Sequence, residues 1–176
     1  MRIAGLIQES IVDGPGLRYV VFAQGCEYCC AGCHNPETWD YNAGVEMPVA
    51  DIIKEMLSNP LIDGLTISGG EPFDQAADCA SLAAVAREKG LSVWVFSGNT
   101  FEQLKRRAKS KPAVRRLLSH TDVLIDGRFV KEEKTLALEW CGSKNQRVID
   151  VQKSLMTGKG ELYESCKSKG TVRKPR

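Results

Sequence analysis

No apolar run in this chain of 176 residues approaches the length that spans a bilayer, and its N-terminus lacks a signal-peptide pattern. These absences make a soluble cytoplasmic protein, without a membrane partner, the expectation. No internal repeat is visible, and no linker divides the chain, so its length implies one domain. What is present is ordinary for a globular protein, with 43% apolar and 26% charged residues.

The net charge of +2 hides an asymmetry. Residues 153–176 hold seven Lys or Arg against Glu161 and Glu164, so that stretch is +5 and residues 1–152 sum to −3. A basic end is compatible with a nucleic-acid or acidic partner. Its falling apolar content reads instead as a solvated, partly disordered tail, and no nucleic acid is expected. The expected division is a domain over 1–152 and a basic tail over 153–176.

The seven cysteines are an odd number, and four crowd into residues 26–33. That suits metal binding in a reducing compartment better than a disulfide framework. Cys26, Cys30 and Cys33 form a C-x3-C-x2-C pattern. Three thiolates on one loop can hold three irons of a [4Fe–4S] cube and leave the fourth iron open for chemistry. Cys26/Cys29 and Cys30/Cys33 are also C-x2-C pairs, so four-thiolate zinc and a redox pair are alternatives. Zinc ribbons separate their pairs by a long loop, whereas here the pairs abut. Cys29 reads as a bystander.

Arg18–Gln24, Leu65–Ser68, Leu91–Ser97 and Val123–Asp126 read as strands. Pro48 opens a helical pattern through Leu57. Asp74–Lys89 reads as a helix stopped by Gly90, and Phe101–His120 as one or two helices broken at Pro112. This alternation implies an α/β fold with a parallel sheet. A closed eight-stranded α/β barrel takes about 250 residues, so an open, partial (β/α) barrel is expected.

Ser68-Gly69-Gly70-Glu71-Pro72 follows a predicted strand, where barrels of this kind carry their active sites. Glycines let backbone approach a ligand closely, and Glu71 has the charge to orient an ammonium. Alone, such a turn is more often only a turn; beside the cysteine loop it is a strong signal.

At these motifs the chain resembles the radical S-adenosylmethionine enzymes. Asp13-Gly14-Pro15-Gly16 with Arg18, and Cys33-His34-Asn35-Pro36-Glu37-Thr38, resemble the glycyl-radical-enzyme activases of that family. Asp122–Phe129 and Gly142–Arg147 resemble the activases of anaerobic ribonucleoside-triphosphate reductase. The resemblance runs from about residue 5 to residue 151. A short small-molecule radical enzyme such as 7-carboxy-7-deazaguanine synthase shares the two main motifs. The Gly142–Arg147 segment and the activase-like entry argue against it.

The resemblance implies an open barrel of the radical S-adenosylmethionine type and an oxidoreductase-class activase. Cys26, Cys30 and Cys33 would hold the cluster. Its open iron would chelate the methionine end of S-adenosylmethionine. Gly69, Gly70 and Glu71 would face the methionine amine, with Ser68 also counted among the cofactor-binding residues. Gly32 and His34, flanking the cofactor-binding Cys33, would contact the nucleoside end through backbone, and Ser97 and Gly98 would support the methionine or ribose. Reductive cleavage would yield methionine and a 5′-deoxyadenosyl radical, which takes a hydrogen from a glycine of the reductase's large component. A flavodoxin-type reductant is also implied. Asp126, Arg128 and Asn145-Gln146-Arg147 are expected near the mouth that admits the partner's loop. Trp39, Trp94, Trp140 and Cys79 read as packing residues; Cys141 and Cys166 have no assigned partner.

Overall fold

β-Branched and aromatic runs build a single mixed sheet, seen in a computed structural model that describes residues 1–164. In chain order the elements are β1 (Arg2–Ser10), β2 (Arg18–Ala23), β3 (Val45–Glu46), α1 (Val49–Ser58), β4 (Gly64–Gly69), α2 (Ala76–Glu88) and β5 (Ser92–Ser97). They continue with α3 (Phe101–Arg107), α4 (Pro112–His120), β6 (Val123–Asp126), β7 (Arg147–Asp150), α5 (Val151–Thr157) and β8 (Glu161–Leu162). The eight strands lie in the order β3-β1-β2-β4-β5-β6-β7-β8. The sheet is open.

β2, β4, β5 and β6 are parallel neighbours, as their helical crossovers require. The flanking strands correct the all-parallel expectation: β1 and β3 run antiparallel on one side, β7 and β8 on the other. The reason is connection length. Residues 11–17 between β1 and β2 are too few for a crossover, so the chain must turn straight back.

Alternation along the strands sorts residues to two faces. Tyr19, Val21, Leu65, Ile67, Val93 and Val95 point into the larger core, where they meet buried residues of α1, α2 and α4. Buried alanines of α2 (Ala76, Ala80, Ala83, Ala86) let that helix pack tightly. Trp94, Val123, Ile125 and Cys141 form a smaller cluster on the opposite face, extended by Phe96, Trp140 and Tyr163. Trp94 meets Trp140 edge-on at 4.7 Å, which fits packing. Cys79 is wholly buried in the larger core.

Arg18 begins β2 and is fully buried. Its Nε donates to Thr66 Oγ1 at 2.6 Å, Nη2 to the Leu65 and Ser92 carbonyls at 2.6 and 3.0 Å, and Nη1 to Ser92 Oγ at 2.9 Å. The guanidinium also faces the Trp94 ring at 5.5 Å. Desolvation lowers its pKa to about 10, so it remains charged at neutral pH. Gly14 lies against it: a Cβ there would stand 2.7 Å from Arg18 Cδ. The Asp13–Gly16 entry segment thus folds over a cation at the N-terminal end of the parallel strands.

α5 and β8 cross the expected boundary at residue 153, and β8 pairs with β7. Cys166 and the remaining basic residues lie outside the described residues. Among the described residues, no helix is long and apolar enough to cross a membrane.

Candidate functional site

β2 ends at Ala23, and after Gln24 the chain turns at Gly25 into the cysteine loop with φ of +97°. A Cβ at Gly25 would stand 2.2 Å from the Tyr41 ring, so only glycine fits. The base of the loop is tied on both sides. Gly25 N donates to Thr38 O at 2.7 Å and Cys26 N to Trp39 O at 3.1 Å. Across the sheet, Gly70 N donates to Ala23 O at 2.7 Å and Glu71 N to Gly25 O at 2.8 Å. The buried Gln24 amide donates to the Glu37 and Asp40 carbonyls, which fastens the returning chain.

Cys26, Cys30 and Cys33 are half-buried and line one cavity together with Gly69, Gly70, Ser97 and Gly98. Cys29 is exposed, lies outside that lining and holds a strained φ of +42°. Among the described residues no carboxylate or imidazole lines the cavity, so its candidate metal donors are soft thiols. Among the described residues, no three His, Cys, Asp or Glu side chains converge as a single metal ion needs. A cluster spreads its irons over separate corners, and this donor set fits one. Burial pushes the Cys26 thiol up to about 11 and raises Cys30 as well, so loading metal must displace protons.

Glu71 is buried behind the cavity rather than lining it. Its carboxylate accepts from Ser97 Oγ at 2.9 Å, Gly98 N at 3.0 Å and Phe73 N at 3.0 Å. The side chain therefore joins the ends of β4 and β5. Burial, partly offset by these bonds, raises its pKa to about 7. Ser68 is half-buried, while Gly32 and His34 are exposed. These three also stand outside the lining. The His34 ring lies 5.4 Å from Phe129, beside a neighbouring cavity that shares Phe96 with the first.

A family model described as a 4Fe-4S single cluster domain matches residues 12–149. Relatives named anaerobic ribonucleoside-triphosphate reductase-activating protein include one from Haemophilus influenzae, 34% identical over 77% of this chain and 89% of its own. Another, from Enterobacteria phage T4, is 35% identical over 78% of this chain and 86% of its own. A third, from Escherichia coli K12, is 33% identical over 78% of this chain and 91% of its own.

This chain belongs to the family of anaerobic ribonucleoside-triphosphate reductase-activating proteins.

Within that family's motifs the structure separates residues at the cavity from residues that support it. Arg128 and Gln146 line the cavity. Asp126 is buried and accepts from Phe101 N at 2.7 Å and from Arg147 Nη2 at 2.6 Å. Arg147 also binds Glu102 at 2.8 Å and holds that carboxyl down at about 2. Asn145 Nδ2 donates to the Arg128 carbonyl at 2.8 Å. Gln146 Oε1 accepts from Gly142 N and Ser143 N, and Nε2 donates to Gly127 O. The 142–147 motif thus holds a loop in place. Tyr28, Trp39 and Phe129 also line the cavity, although the sequence assigned none of them a place there. Tyr28 fills the space that Gly98 leaves and carries the Arg128 guanidinium 4.0 Å from its ring centre. Spacing gives no hint of that contact.

Proposed function

We propose that this chain is a radical S-adenosylmethionine activase with an open partial barrel, acting on anaerobic ribonucleoside-triphosphate reductase. In this reading Cys26, Cys30 and Cys33 hold a [4Fe–4S] cluster, and Cys29 does not. The cluster, when bound, supplies the electron that cleaves S-adenosylmethionine and so leads to a glycyl radical on the reductase. The observation that carries the reading is the convergence of those three thiols with Gly69, Gly70, Ser97 and Gly98 on one cavity, in a member of this family.

The chain's own residues bind and position. Gly69 and Gly70 bring bare backbone to the rim, and Gly98 leaves room for Tyr28. Glu71 keeps the two strand ends at a fixed spacing. Its carboxylate reaches a bound amine only by giving up protein donors, so the adjacent backbone is the better candidate for that contact. Val12, Leu136 and Leu138 are exposed and line the neighbouring cavity. They form apolar lips suited to a loop of the reductase. Bringing a glycine Cα within about 3–3.5 Å of the reacting carbon requires such a guided approach. A flavodoxin-type reductant and a cytoplasmic setting complete the reading.

The test is anaerobic reconstitution with iron and sulfide, reduction, and addition of S-adenosylmethionine. A [4Fe–4S]⁺ paramagnetic signal that changes with the ligand is expected. Methionine, 5′-deoxyadenosine and a glycyl signal on added reductase should follow. Zinc in place of iron and labile sulfide would end the proposal.

A further inference from the structure

Seven of the twelve residues 105–116 are Lys or Arg, and none is acidic. They span the end of α3, the turn, and the start of α4. Arg106, Lys109, Lys111 and Arg115 are exposed, with no ion pair or side-chain hydrogen bond among the described residues. Helix energetics explain only part of this. Cations at the end of α3 favour its dipole, but Lys111 caps the N-terminus of α4 and Arg115 follows in its first turns. Positive charge there opposes the dipole, and no acidic residue in the first turn offsets it. The fold gains nothing from such a concentration, and mutual repulsion costs stability.

The corner is coupled to the cysteine loop. Lys111 and Arg107 line an open groove with Asp74 and Tyr41. Arg107 binds Asp74 at 3.1 Å, Asp74 accepts from the Tyr41 hydroxyl at 2.6 Å, and the Tyr41 ring packs on Gly25, next to Cys26. This approach comes from the helix-covered side. No residue of α3 or α4 lines the cysteine cavity or its neighbour. A partner here would leave the mouth free for the reductase.

We propose that the α3–α4 corner docks an acidic one-electron donor protein. The inference rests on the activase reading, which consumes one electron per cleavage from outside the chain. In the transfer one electron leaves the donor and enters the cluster, and no atom or proton moves. Complementary charge would speed encounter and set orientation, with a strong dependence on salt.

The probe is a flavodoxin. Its affinity for the reconstituted protein should weaken by about tenfold between about 50 mM and about 300 mM salt. The variant R106E/K109E/K111E/R115E should bind it at least about tenfold more weakly at low salt. Flavodoxin-driven methionine formation should fall with affinity, and dithionite-driven formation should stay at the wild-type level. The milder K109A/K111A should show a smaller loss of affinity, and K54E/K89E, on other surfaces, none. Flavodoxin binding unaltered in the fourfold variant would overturn the proposal, as would an equal loss in K54E/K89E. Tight binding of a single-stranded RNA 20-mer at the corner, without flavodoxin binding, would overturn it in favour of a nucleic-acid surface. Failure of the wild type to cleave S-adenosylmethionine with dithionite would instead strike the activase reading, and the affinity comparison would still report on the corner.

Discussion

The Ser97 hydroxyl lies 2.9 Å from both carboxylate oxygens of Glu71, joining the C-terminal ends of two adjacent parallel strands. Burial is the main cause of the rise in the Glu71 pKa from 4.5 to about 7. The folded protein therefore keeps a proton that the unfolded chain loses, and stability falls as pH rises between those values. The total is about 3 kcal/mol, levelling above about pH 7. Glu71→Gln should flatten this slope in thermal unfolding of the metal-free protein between about pH 5 and about 8. A slope identical in the variant would assign it to other groups.

Replacing Cys26, Cys30 or Cys33 by Ala should abolish retention of iron and labile sulfide after anaerobic reconstitution. Cys29→Ala should retain both, because its side chain is exposed outside the common cavity. Loss of the cluster in Cys29→Ala would reassign the ligands.

Gly70→Ala would put a Cβ 2.2 Å from the Gly25 carbonyl oxygen, against backbone rather than a yielding side chain. We expect a destabilisation of about 1–3 kcal/mol by denaturant unfolding, with poorer iron retention. Gly98→Ala meets the Tyr28 ring at 2.4 Å, which can swing away. Its cost should be smaller, and displacement of Tyr28 should show in the tyrosine environment by near-ultraviolet circular dichroism.

Arg147→Ala would strand the buried Asp126 carboxylate. Breaking one side of a fully buried pair costs about 3–5 kcal/mol, but the Arg147 side chain is 35% exposed and Asp126 keeps the Phe101 N–H, so a smaller loss of about 1–3 kcal/mol is expected. The half-exposed Glu102 arm should contribute little of that. Adding Asp126→Asn to Arg147→Ala should recover part of the loss in a double-mutant comparison, since it removes the stranded charge.

Val12→Asp or Leu136→Asp places a charge on an exposed apolar lip, 75% and 94% exposed respectively. Stability should change by less than about 0.5 kcal/mol. Glycyl-radical formation on the reductase should fall by about tenfold or more, while cleavage of S-adenosylmethionine without the reductase stays unchanged. Equal loss of both activities would show that the lips act on the small-molecule site.

Much of the architecture was legible because its signals are local. β2, β4, β5 and β6 are runs of β-branched and aromatic residues buried on both faces, and Pro112 marks the start of α4. β1 was not legible: Gln8 and Glu9 face solvent, and its register shifts twice against β2. β7 and β8 are short and depend on neighbours for their hydrogen bonds. The three candidate thiols were readable from spacing on one loop, and the fold brings them to one cavity. The side-chain directions of Glu71 and Asp126 were not, because their partners lie 26 and 21 residues away. Residues 105–116 are visibly basic in the sequence, but only the fold separates the free cations from Lys105, Arg107 and Arg116, which have partners.

Gly25 and Gly70 touch backbone to backbone, with one hydrogen bond on each side of the contact, Gly70 N to Ala23 O and Glu71 N to Gly25 O. The root of the thiol loop and the end of β4 consequently behave as a single casting. Any loosening that lets iron and sulfide in must hinge further out, between Glu27 and Asn35. An assembly intermediate would then have a pliant crown on an unmoved base, and amide exchange should be quick at the crown while Gly70 and Glu71 stay protected.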